Sequence, residues 1–215
     1  MRTIAYIDAG NLYYGLLKRR PELKWLNPVA LVRALLRDDH SLTKVKFYTA
    51  RVRTYPHDAA AIERQRIYLR TLATVDGLDI IEGYYNRNKA WMPAVGAKCR
   101  TCCEADEGRV RVVKLEEKRT DVNIATDMLY DAFSDAADAF MLLSGDSDFI
   151  APLDLIRRRF GKQIIVFDPR EQFSDICYHA SYYAHIPRDL PARCQLPDVV
   201  PLPNGRTIHR PPAWA

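Results

Sequence analysis

"DAFMLLSGDSDFIAPLDLIRRRFGKQIIVFD" (138–168) is the stretch on which the fold of this chain turns. An apolar run, 138–144, ends in a small polar turn. Apolar residues then recur at helical spacing over 147–161, and Gly161 closes the helix in the manner of a left-handed C-cap. A second apolar run, 162–168, follows. Strand, helix and strand in this order predict a parallel pair joined by a crossover helix. The first strand runs into Asp146 and Asp148. Helix capping and a metal site are both open readings of that pair, since the first turn of a helix favours acids.

The rest of the chain repeats the alternation. "RTIAYID" (2–8) reads as a buried strand and "NLYYGLLKRR" (11–20) as a helix. "NPVALVRALLR" (27–37) reads as a second helix with Asn27 as N-cap and Pro28 in its first turn. "KVKFYTARV" (44–52) and "LDIIEGYY" (78–85) read as strands around a long amphipathic helix, 57–75. "TDVNIATDMLYDAF" (120–133) reads as a helix with Thr120 as N-cap, and 162–168 as the last core strand. The pattern predicts a mostly parallel sheet wrapped by helices on both sides. Residues 86–113 interrupt it with a cysteine cluster and many charges, read as a hairpin-like insertion that includes the strand "RVRVVKL" (109–115). After residue 186, seven of the remaining 29 residues are proline and apolar periodicity fades. That section reads as an extended tail, strapped to the domain 1–186 or meeting a partner.

Bulk properties narrow the class. The chain has 215 residues, 48% hydrophobic and 27% charged, which suits one globular domain with an appendage. No apolar run approaches the roughly 18 residues a membrane helix needs. The N-terminal run reads as a strand, not a secretion signal, and the five cysteines form an odd set. These features together predict a cytoplasmic protein. A net charge of +5 is compatible with nucleic acid without requiring it.

In an open parallel sheet, ligands bind outside the carboxyl ends of the strands. The first strand ends in Asp8, with Asn11 just beyond. The next two run into Arg51 and Arg53, and into Tyr84, Tyr85, Asn86 and Arg87. The later strands give Asp146 and Asp148, then Asp168 ahead of Pro169. Asp121 opens a helix, and Asp127 lies about 120° round it. Each acid alone has a plain structural reading, as a cap, a turn or a solvated face. Their expected gathering at one edge points to a hard divalent cation, because like charges this close repel unless something positive sits among them. The basic and aromatic ends, Arg51, Arg53, Tyr84 and Arg87, are candidates for holding a nucleic-acid strand.

Three blocks carry a resemblance. "YIDAGNLYYGL" (6–16), "EEKRTDVNIATDML" (116–129) and "LLSGDSDFIAPLDLIRRRFGKQIIVF" (142–167) resemble, in order and spacing, the motif blocks of the NYN domain family within the PIN-like nuclease superfamily. The resemblance implies a PIN-like three-layer α/β/α fold with an acidic pocket at the carboxyl edge of the sheet. It also implies cleavage of RNA dependent on Mg²⁺ or Mn²⁺. Asp8, Asn11, Asp121, Asp146 and Asp148 match the family's catalytic positions. The four aspartates among them, with Asp127, match its metal-holding acids. The family's middle helix opens from a small residue; here Arg119-Thr120 stands in its place. Alternatives to the ribonuclease are a non-catalytic RNA-binding module and a metal-dependent enzyme acting on a small molecule. Cys99 and Cys102 make half a structural zinc site, which Cys177, His179, His185 or Cys194 would have to complete. A homodimer is a further expectation.

Overall fold

The computed structural model describes residues 1–51, 59–93 and 109–215. Seven strands form one sheet: β1 (Arg2–Asp8), β2 (Ser41–Ala50), β3 (Leu78–Pro93), β4 (Arg109–Lys118), β5 (Ala139–Leu143), β6 (Gln163–Asp168) and β7 (Tyr182–His185). Their spatial order is β4-β3-β2-β1-β5-β6-β7, parallel except where β3 meets β4. The helices are α1 (Ala9–Leu12), α2 (Pro28–Leu35), α3 (Ala59–Leu72), α4 (Thr120–Phe133), α5 (Ile150–Phe160) and the short α6 (Leu190–Arg193).

Burial on both faces explains why β1, β5 and β6 read as unbroken apolar runs. Ala5 and Ile7 of β1 face one core with Val45, Phe47, Met141 and residues of α1, α2 and α3. Ile4 and Tyr6 face the other, with Phe140, Leu142, Ile124 and Met128 of α4, and Leu153 and Ile156 of α5. The result is a three-layer sandwich.

The chain leaves β1 towards β2 on one side and later returns to lay β5 on the other. That reversal makes a crevice at the carboxyl end of β1, where an open α/β sheet receives ligands. Asp8 and the β5–α5 turn both open onto it.

The structure corrects several boundaries. β6 is not the last strand: β7 pairs parallel with it from Ile165↔Tyr182 to Asp168↔His185. β2 ends at Ala50, and β3 and β4 continue to Pro93 and Lys118 as a long antiparallel ribbon. The ribbon's tip, with Cys99 and Cys102, lies outside the described residues, as does Arg53. The first helix is only four residues long and passes into a π-helical turn, Tyr13–Leu17. Asn27 and Pro28 open α2 as expected, the Asn27 side chain accepting from Val29 and Ala30 N–H. Thr120 does not cap α4. The cap position is Arg119, whose backbone is left-handed at φ 77°. Proline-rich composition hid regular structure beyond Pro187: α6, a small hairpin of β8 (Val199–Pro201) and β9 (Thr207–His209), and a final turn over Pro212–Trp214. This section packs against the segment before α2. Trp25 Nε1 donates to the Pro197 carbonyl (2.8 Å), and the Asn27 N–H to that of Cys194 (2.8 Å).

A polar network locks α4 to the sheet. The Tyr6 hydroxyl and the Lys46 ammonium both donate to Asp131 Oδ2 at 2.6 Å. The Tyr48 hydroxyl donates to Asp127 Oδ2 at 2.7 Å. Burial and these carboxylates hold both tyrosines far above the usual phenol range. Asp131→Ala would leave the buried Tyr6 hydroxyl unpaired and the Lys46 ammonium with only its 3.9 Å contact to Asp127. Its expected cost is roughly 3–5 kcal/mol, read as a lowered urea midpoint with an unchanged m-value.

Candidate functional site

The crevice is a cleft of about 770 Å³ lined by Asp8, Asn11, Glu117, Asp121 and Asp146, with Arg19, Arg170 and Glu171 on its margins. Asp8 comes from the end of β1, Glu117 from the end of β4, Asp121 from the first turn of α4, and Asp146 from the β5–α5 turn.

Local geometry fixes each acid. Asp8 is 6% exposed and caps α1, its Oδ1 accepting from the Asn11 N–H (2.9 Å). Its Oδ2 accepts from the buried Ser144 hydroxyl (3.1 Å), whose oxygen in turn accepts from the Asp146 N–H (3.2 Å). Asn11 ties the same two turns together, because its side-chain oxygen accepts from the Gly145 N–H (3.2 Å). Gly145 leaves room for Asp168 behind the turn: a Cβ there would meet Asp168 Oδ2 at 1.9 Å. Asp146 is itself a cap, its Oδ1 accepting from the Asp148 N–H (3.1 Å). The capping reading therefore holds for Asp146, and it leaves Asp146 on the wall of the cleft.

Burial is the largest influence on the acids, and like charge adds to it. Burial, with Asp121 and Glu117 nearby, raises the Asp8 carboxyl from its ordinary 3.8 to about 6. Asp121 is raised by its own desolvation and by Asp146, Glu117 and Asp148. Among the described residues, no lysine or arginine pairs within 4.0 Å of Asp8, Glu117, Asp121, Asp146 or Asp148.

The acids of the cleft form the donor set open to a divalent cation. It is all oxygen, as a hard cation requires. Among the described residues no three acidic, histidine or cysteine side chains converge tightly enough to form a closed cage. Mg²⁺ needs no such cage, since it keeps several waters and takes one or two carboxylates directly. The cleft therefore fits a hydrated hard cation held largely through water.

Of the positions expected from sequence, Asp8, Asn11, Asp121 and Asp146 come together. Asp148 is exposed just outside the lining, close enough to repel Asp121. Asp127 does not join them: α4 turns it towards β2, where Tyr48 and Lys46 engage it. Asp168 is fully buried and accepts from Arg170 and from the Tyr183 hydroxyl, so it shapes the turn without facing the cleft. Arg51 lies at the end of β2 in a two-pronged pair with Glu82 (2.6 and 2.7 Å). Arg87 lies along the ribbon opposite Leu115. The Tyr84 ring sits under the Arg119 guanidinium at 4.7 Å, a cation–π contact that helps hold the left-handed turn. Cys177, His179, His185 and Cys194 do not assemble into a zinc group among the described residues.

Glu117, Ser144, Arg19 and Arg170 are the site residues that sequence reasoning missed. Glu117 carried a signal, four residues ahead of Asp121 in the same block. It accepts from the Thr120 hydroxyl (2.6 Å) and the Tyr85 hydroxyl (3.2 Å). Behind Gly10, Tyr14 and Glu117 lies a second cavity, about 200 Å³, with six aromatic side chains among its lining residues.

Comparison with known proteins gives three findings. The family model described as NYN domain matches residues 2–187. The chain is 28% identical over 238 residues to 6-hydroxy-3-succinoylpyridine 3-monooxygenase HspA of Pseudomonas putida (strain DSM 28022 / S16), an alignment spanning 100% of this chain and 75% of that protein. A crystal structure of a protein of unknown function from Vibrio parahaemolyticus RIMD 2210633 superposes with a TM-score of 0.51 at 19% identity, covering 87% of this chain and 94% of the other. That likeness is one of fold.

The raised Asp8 carboxyl sets a pH dependence. A group that holds its proton more tightly when folded contributes stability that is full below 3.8 and lost as pH rises through about 6. In EDTA, the melting temperature is expected to fall between pH 4.5 and 7. Asp8→Asn, which has no such proton to lose, should flatten that fall in calorimetric scans.

Proposed function

The chain belongs to the NYN domain family, and from that premise we propose that it is a divalent-metal-dependent ribonuclease acting at the acidic cleft. The observation that carries this reading is the gathering of Asp8, Glu117, Asp121 and Asp146 around one crevice, with no lysine or arginine among the described residues paired to them within 4.0 Å. Charge of this density is costly unless a cation shares it.

Asp8, Asp121 and Asp146 would hold Mg²⁺ or Mn²⁺, with Asp148 adding charge at the rim. When bound, the ion supplies Lewis acidity towards water and the phosphodiester. The chain's own residues do the rest. Asn11 and Ser144 keep the Asp8 and Asp146 turns in register, as positioning residues. Arg19 and Arg170 offer positive charge to the phosphate. Water attacks phosphorus, the P–O3′ bond breaks, and the fragments carry a 5′-phosphate and a 3′-hydroxyl. The proton released by the water passes to a cleft carboxylate.

A second reading has its own support. The relative named as a monooxygenase aligns along the whole of this chain, and an aromatic-walled cavity adjoins the cleft. On that reading a small heteroaromatic substrate enters the cavity. One atom of O₂ becomes a ring hydroxyl and the other leaves as water, with two electrons from a reductant.

Single-stranded RNA incubated with the full chain and Mn²⁺ or Mg²⁺ separates the two. Gel analysis is expected to show cleavage that EDTA abolishes. Asp146→Asn should slow it by roughly two orders of magnitude or more, the scale of losing one electrostatic anchor of a reacting centre. Cleavage that persists through both controls would remove the cleft from the reaction. Absence of cleavage, with reductant- and O₂-dependent hydroxylation of a pyridine substrate, would establish the second reading.

A further inference from the structure

The cavity beside the acidic cleft has the character of a ring site. We propose that it binds a planar heteroaromatic ring, seated so that the ring's substituent reaches the acidic cleft. The inference deepens the reading above, since it names what the substrate presents next to the group acted on.

Size is the first argument. An apolar cavity of about 150 Å³ takes up benzene. At about 200 Å³ this one suits a substituted six-membered ring or a nucleobase, and not a peptide segment.

The walls are the second. Tyr13, Tyr14, Phe47, Tyr68, Tyr85 and Trp214 surround the space, a density of π-faces that flat rings stack on. Several are fixed in advance. The Tyr68 hydroxyl donates to the Leu26 carbonyl (2.7 Å), and its ring meets Trp214 edge-on at 5.9 Å. Trp214 leans on Trp25 at 6.2 Å. Tyr85 is held by its bond to Glu117. Rigid rings lose little freedom when a ligand arrives. Thr49 and Gln65 also line the cavity, giving it hydrogen-bonding groups that a pure hydrocarbon would not use.

The π-helical turn is the third. The Lys18 N–H reaches back five residues to the Tyr13 carbonyl (2.7 Å), widening the turn. Such turns recur at functional sites. Here the turn sets Tyr13 and Tyr14 edge to face at 5.3 Å and leaves Tyr14 64% exposed on the wall shared with the cleft. Gly10 completes that wall, and a Cβ on it would crowd Asp8 Oδ1 at 3.3 Å. Gly10, Tyr14 and Glu117 line both spaces, which sets a ring in the cavity beside the cleft.

Two sources supply such a ring: the base of a nucleotide whose phosphate lies in the cleft, or a free ring acid. Titrations on the full chain, read by tryptophan fluorescence and equilibrium dialysis, distinguish them. One arm uses UMP and AMP, the other nicotinate. Ala61→Phe projects a ring into the cavity from α3, and Tyr14→Ala removes the exposed wall. Circular dichroism melts check that both variants fold. Saturable one-to-one binding of at least one probe is expected, weakened about tenfold by either variant, the scale of one lost stacking contact. Binding confined to the nucleotides assigns the ring to a base, and binding confined to nicotinate assigns it to a free acid; either supports the site. No saturable binding of any probe, or binding unchanged in both cavity variants, overturns it. Loss of RNA cleavage with ring binding intact would count against the nuclease reading alone.

Discussion

A carboxylate sealed at the end of the central strand sets the terms for this structure. Asp8 is nearly inaccessible and has no cationic partner among the described residues. Two hydrogen bonds, from Asn11 and Ser144, compensate part of its desolvation. Those same bonds draw the β1 end and the β5–α5 turn together. Asn11 adds a third tie through Gly145. The cleft is thus a consequence of how one buried acid is satisfied, and the neighbouring acids inherit their spacing from it.

A different balance operates on the far face of the sheet. There Asp131 and Asp127 share Lys46 and two tyrosine hydroxyls, so their charge is partly offset and drawn into holding α4 in place. One helix therefore carries acids of two kinds. Asp121, at its start, is left with like-charged neighbours. Asp127 and Asp131, further along, share Lys46 and accept from tyrosine hydroxyls. Position relative to a single lysine separates structural acids from candidate functional ones.

Much of this was legible in the sequence. Unbroken apolar runs marked β1, β5 and β6 because both faces of those strands are buried, and the switch of sides between β1 and β5 marks the crevice. Asp8, Asp121 and Asp146 followed from strand and helix ends. Asp127 did not, because helical angle alone cannot say that Tyr48 and Lys46 lie beneath it. Glu117 was hidden by the ribbon: where β4 stops decides whether that side chain meets the cleft, and charge patterning gave no stop. β7 was missed because its four residues are too few to show a period. Arg119 stands where the family places a small residue, and the structure meets the backbone requirement with a left-handed arginine laid over Tyr84.

Trp214 lies beyond the stretch that defines the family, which ends at residue 187. Yet it is buried to within 9% of full closure and forms part of the cavity wall. The acids come from the common scaffold, while one face of the adjoining chamber comes from a segment the scaffold does not dictate. Such a division is modular: the two parts are free to diverge at different rates. Related chains with the same acids and different tails would then share a cleft while differing in what they admit beside it.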